Sequence, residues 1–184
     1  YKEIPECNTF RVTLAKTLID MFNGKDILDM SAGWGDRLIG FLASNAESYT
    51  GVDPNMLLKP LHDEILATLP HNKTDIKLIY KPFEHVELFD DYFDLCVTCP
   101  PYFITEIYHS QNDRLQSTNG RDVNQWIRNF MIPSLDKIFS HLYRGGHLVL
   151  VMNDPLPKYN IPRYMDTILQ YLKSKKNVKY MGVM

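Results

Sequence analysis

The sequence predicts an α/β fold, a doubly wound and mostly parallel sheet with helices on both faces. Three observations predict it. Short apolar runs alternate with stretches of helical period along most of the chain. Strands separated by helices pair in parallel through right-handed crossovers. The run His147 to Met152 is apolar throughout, the pattern of a strand buried on both faces. No repeat, low-complexity tract or linker interrupts the 184 residues, so a single domain with its own core accounts for the length.

The elements follow in order. Thr9 to Phe22 carries Phe10, Leu14, Leu18 and Met21 or Phe22 at helical spacing. Asn23-Gly24 stops it. Asp26 to Met30 reads as a strand running into a glycine loop, and Arg37 to Ser44 as a helix. Tyr49 to Asp53 is a second strand cut by Pro54, and Met56 to Leu69 a helix with Pro60 near its start. Asp75 to Tyr80 is a third strand. Phe93 to Thr98 is a fourth, ended by Pro100-Pro101. Thr105 to Asp122 is a polar loop, and Val123 to Tyr143 a long helix bent at Pro133. Gly145-Gly146 opens the fifth strand. Ile161 to Lys175 is helical, and Val178 to Val183 a last strand.

Composition narrows the function. Apolar residues are 45% and charged residues 23%, ordinary for a globular protein and foreign to a disordered tail or a coiled coil. No apolar run approaches the ~18 residues of a membrane span, and no signal peptide is visible. The first residue is Tyr1, so the chain reads as a fragment. The formal net charge is −2, so binding to nucleic acid would have to use a local patch. Three cysteines, an odd number, argue against a disulfide scaffold and for a reducing, intracellular compartment.

Ligands of doubly wound sheets sit beyond the carboxyl ends of the strands. Three such ends carry unusual residues here. Asp29-Met30-Ser31-Ala32-Gly33-Trp34-Gly35 follows the first strand, and Gly33 and Gly35 let the backbone turn tightly and approach a ligand. The third glycine of a dinucleotide fingerprint would fall at Leu38, which disfavours a dinucleotide. Asp53 ends the second strand, where such folds place an acid on ribose hydroxyls. The competing reading of Asp53-Pro54-Asn55 is an Asx turn. Together the two features describe a nucleoside site without a pyrophosphate cradle.

On these residues the sequence resembles the class I S-adenosylmethionine-dependent methyltransferases. The resemblance implies their Rossmann-like fold and S-adenosylmethionine as cofactor. Asp29, Ser31, Ala32, Gly33, Trp34 and Gly35 would form the loop around the methionine part, and Asp53 would bind the ribose. Pro54 or Asn55 would pack on adenine. Phe83, after the third strand, would contact the adenine edge, or else be core.

The third strand end is the most specific. Cys99-Pro100-Pro101-Tyr102 looks like the Asp/Asn/Ser-Pro-Pro-aromatic motif of methyltransferases that modify planar amino groups. The nitrogen of such a group is a poor nucleophile because its lone pair is delocalised. Acceptors must hold its N–H groups so that the nitrogen faces the methyl donor. In the family the first residue's side chain and the first proline's carbonyl do this, and the aromatic ring stacks on the base. The sequence departs from the family at Cys99, since a thiol is a weak acceptor. The resemblance implies methylation of an exocyclic amine, adenine above all, in DNA or RNA, with the base flipped into a pocket formed by Cys99 to Phe103 or taken from a single strand. Alternatives are a protein-glutamine or small-molecule methyltransferase, and a degenerate subunit that serves as a scaffold. The family commonly has a further antiparallel strand, and no target-recognition domain is visible. Both suggest missing sequence or a partner subunit.

Other features carry less. Cys96 and Cys99 form no second pair for zinc, and no metal is expected. His62 and the other five histidines read as surface or satisfied core groups. Tyr108, His109, Arg114, Arg121 and Arg128 could touch phosphates. Lys173, Lys175, Lys176 and Lys179 form a basic cluster, and Asn153-Asp154-Pro155 could line the rim of the pocket.

Overall fold

A computed structural model describes residues 10–103, 122–155 and 162–183. Among these residues five strands form one parallel sheet. They are β1 (Asp26–Asp29), β2 (Ser48–Val52), β3 (Asp75–Ile79), β4 (Phe93–Thr98) and β5 (Leu142–Leu150), in the order β3-β2-β1-β4-β5. The helices are α1 (Val12–Met21), α2 (Asp36–Leu42), α3 (Lys59–Thr68), α4 (Val123–Trp126), α5 (Ile132–His141) and α6 (Met165–Ser174).

Side chains alternate across the strands, so neighbouring residues serve opposite cores. On one face Ile27, Tyr49, Leu95 and Val97 pack with Leu18, Leu38, Phe41 and Ile65 from α1, α2 and α3. On the other, Leu28, Val52 and Cys96 pack with Trp126, Leu135, Ile138 and Ile168 from the later helices. Gly40 lets α1 and α2 meet closely, because a Cβ there would lie 2.5 Å from that of Ala15. Strand order reverses between β1 and β4, which register Ile27 with Leu95 and Leu28 with Cys96. That reversal opens the crevice where such sheets take ligands.

The structure corrects several expectations. The fifth strand begins at Leu142 and contains Gly145-Gly146. Phe93 pairs with Leu142 but Leu95 with His147, so the glycines form an irregularity within the strand, with Gly145 at φ +89°. The strand is not buried on both faces. Among the described residues it lies at the edge of the sheet, with β4 on one side, and Val149, at 9% exposure, is its most buried residue. Residues 178–183 form no strand. Met181 and Val183 are exposed and Gly182 has φ +114°, which breaks the extended path. The long helix departs from α geometry as a π turn over Ile127–Met131. Pro133 lacks the N–H that would bond back to Asn129, and the wider turn absorbs that loss. The predicted loop and its Tyr108, His109, Arg114 and Arg121 lie outside the described residues.

Candidate active site

β1 ends in Asp29, a fully buried carboxylate. Its Oδ2 accepts from Arg37 Nε at 2.7 Å and from the Tyr49 hydroxyl at 3.0 Å. Its Oδ1 accepts from Thr98 Oγ1 at 2.9 Å and from the Ser31 amide at 3.2 Å. Those four donors use the acceptor capacity of the carboxylate. Asp29 therefore shapes the loop from below rather than offering oxygen to a ligand. Burial opposes the charge of Arg37, but the Asp29 carboxylate outweighs it and raises the guanidinium's pKa. The same burial, with Asp29 beside it, pushes the Tyr49 phenol well up, so it remains a donor. Arg37 also donates to the Ser31 carbonyl, and Phe10 lies over its guanidinium.

The two loop glycines serve different needs. Gly35, at φ +94°, sits against α3, where a Cβ would meet Ile65 Cδ1 at 2.6 Å. Gly33, at φ +57°, is less crowded: an added Cβ would make ordinary contact with the Ser31 carbonyl oxygen at 3.7 Å, so its backbone conformation is what calls for glycine. Its amide donates to Asp53 Oδ2 at 2.9 Å, and its carbonyl meets His62 Nε2 at 2.8 Å. A carbonyl only accepts, so Nε2 carries the proton. In the neutral imidazole Nδ1 then accepts from the Tyr80 hydroxyl, 2.9 Å away. His62 is a satisfied buried group, as expected, but its partner is the loop itself. Between the glycines Trp34 stands 52% exposed.

Asp53 is partly buried. Its Oδ1 accepts from the Asn55 amide at 2.8 Å, so the Asx turn is present together with the Gly33 contact. Burial pushes its pKa up, against the two amide bonds that lower it. Each oxygen keeps a lone pair for a further donor. Pro54 is partly exposed, and Met56 and Leu57 beyond it are exposed. Phe83 is core at 2% exposure, with Lys137 Nζ 5.2 Å from its ring centre. Lys137 there donates to the carbonyls of Phe83, Glu84 and Val86.

After β4 the chain turns back sharply. The Phe103 amide donates to the Pro101 carbonyl at 3.0 Å, with Phe103 at φ +54°. The turn brings Cys99 Sγ within 3.4 Å of the Tyr102 hydroxyl. Cys99, Pro101 and Tyr102 are partly exposed and Pro100 is buried. Phe103 is buried at 3% and packs in the core against Trp126. Asp154 spends its carboxylate on the amides of Tyr164 and Met165 at the start of α6 and on Arg163. Sequence reasoning missed Arg37, Tyr49, Tyr80 and Thr98 as parts of the site. Their partners lie on other elements, and no local spacing announces them.

No protein-family model and no curated protein sequence matches the chain. Among solved structures it is similar to an rRNA methylase from Streptococcus thermophilus, with TM-score 0.59 and 11% identity over 93% of this chain and 83% of that one. It is similar to TrmN from Thermus thermophilus, with TM-score 0.55 and 16% identity over 76% of this chain and 37% of that one. A third likeness is to the glycopeptide N-methyltransferase MtfA complexed with sinefungin, with TM-score 0.53 and 16% identity over 82% of this chain and 57% of that one. At such identities the likeness is one of architecture, and this chain has the Rossmann-like fold found in these methyltransferases.

Proposed function

We propose that the chain is an S-adenosylmethionine-dependent methyltransferase that modifies an exocyclic amino group of a base, adenine by preference, in nucleic acid. The observation that carries this reading is the joint at the strand-order reversal. Thr98 Oγ1 donates to Asp29 at 2.9 Å, so the glycine loop and the Cys99-Pro100-Pro101-Tyr102 turn are braced against each other. Solved methyltransferases of the same fold, one described as an rRNA methylase, support it.

The residues fit the cofactor. Gly33 holds the loop backbone in the left-handed turn without crowding, and Asp53 keeps one lone pair on each oxygen for a pair of ribose hydroxyls. Ser31, Ala32, Gly33, Trp34 and Gly35 would hold the amino-acid part, and Pro54 would lie against the adenine. When bound, S-adenosylmethionine supplies a methyl group on a positively charged sulfur. The chain's own task is to orient the acceptor. The Pro100 carbonyl takes one N–H of the target amine, Cys99 stands at the second acceptor position, and the Tyr102 ring stacks on the base. Such positioning can supply ~7–11 kcal/mol of a barrier.

Calorimetric titration with S-adenosylmethionine, followed by radiolabelled methyl transfer to DNA, RNA and peptides, tests the reading. We expect binding by the wild type, affinity weaker by about 10- to 100-fold in Asp53→Ala, and label in oligonucleotides. Unchanged affinity in that variant, or label in peptides alone, overturns it. Cys99 favours a second reading, a scaffold subunit without turnover, because a thiol is a weak acceptor. That reading expects no label with the wild type and none with Cys99→Asp.

A further inference from the structure

We propose that the indole of Trp34 is a stacking platform for a base of the substrate strand that neighbours the target base. The inference rests on the nucleic-acid reading above and adds to it where the strand lies. The backbone of the glycine loop has partners on several sides. Ala32 donates to the Val52 carbonyl at 2.8 Å and Gly35 to the Ala32 carbonyl at 3.3 Å. Gly33 is held on its amide by Asp53 and on its carbonyl by His62. The indole on this braced loop is nevertheless 52% exposed, whereas Trp126 is 1% exposed. A large flat side chain on a stiff loop loses little conformational freedom when a base settles on it.

Its position suits a strand. Trp34 follows β1, and Tyr102 follows the adjacent β4. The two aromatic residues thus follow the carboxyl ends of neighbouring strands, on the same rim of the sheet. The rim continues over β2, where Met56 is 61% and Leu57 73% exposed. Exposed Lys81 stands after β3, where it can meet a phosphate. Aromatic platforms with a cation beside them accept single-stranded bases with little regard to sequence.

The chain has two tryptophans, and the second is buried, so quenching of intrinsic fluorescence by a ligand reports on Trp34. A short adenosine-containing single-stranded oligonucleotide is titrated into wild type, Trp34→Phe and Trp34→Ala, beside separate titrations with S-adenosylmethionine. We expect quenching in the wild type, loss of that quenching with retained binding in Trp34→Phe, and oligonucleotide affinity weaker by roughly 10- to 100-fold in Trp34→Ala. The loss for the oligonucleotide should exceed the loss for the cofactor. Wild-type binding that Trp34→Ala leaves unchanged overturns this inference alone, as does a loss confined to the cofactor. A wild type that binds the cofactor but no oligonucleotide overturns the nucleic-acid reading with it.

Discussion

Asp53 combines two roles that pull its proton in opposite directions. Burial raises its pKa above the ordinary 3.8, so the folded chain holds this proton more tightly than the unfolded one. Its contribution to folding is present below 3.8 and is lost as pH rises through the folded value. Binding of a ribose diol runs the other way, because the ionised carboxylate is the better acceptor. Calorimetry across the acid range should show cofactor affinity falling on acidification with a midpoint above 3.8, and Asp53→Asn should flatten the curve. At this scale the sequence was partly legible. Asp53 stood out because it ends a strand one turn of the fold after the glycine loop. The Asp29–Arg37 pair did not, since buried acid and base eight residues apart look like any two charges. Phe83 was open between cofactor contact and core, and the Lys137 ammonium over its ring marks the core side.

Among the elements, legibility followed periodicity. β4 spans Phe93–Thr98 as expected, and α1 and α3 lie within their predicted stretches. β5 misled because an apolar run records hydrophobicity but not which neighbours are present. At the edge of the sheet most of the same residues are partly exposed, and Val149 and Met152 are buried. Gly145-Gly146 is equally ambiguous, since a pair of glycines suits a turn before a strand or an irregularity within one. Gly40 was silent in the sequence, where an isolated glycine in a helical pattern reads as a weakness. The structure gives it a purpose, and Gly40→Ala should destabilise the fold. The new Cβ would press on Ala15 Cβ at 2.5 Å and on the α1 backbone at Lys16 N, 3.0 Å away. Thermal or denaturant unfolding should record a cost of about 1–3 kcal/mol, and no change would show that α1 moves aside freely.

Across the whole molecule the charge is close to neutral, at −2. A proteinaceous groove that neutralises many phosphates loses ~10³–10⁵ in affinity between about 50 and 200 mM salt. This chain, relying on ring faces more than on cations, should lose less than about tenfold over that range in a fluorescence titration. A steep loss would instead point to basic residues as the main grip. The global arrangement was the most legible property of all. Alternating strands and helices fixed the parallel sheet, and the unusual residues gathered at one end of it. What no pattern could announce was the bracing between those ends, such as Thr98 to Asp29, because it joins residues 69 positions apart. One brace has an outward consequence. With the imidazole neutral, the proton of the Tyr80 phenol points inward to His62, whose own proton goes to Gly33. At the β3 corner the protein therefore presents an oxygen that can receive but has nothing to give, and a visiting group is welcome there only if it brings a hydrogen of its own.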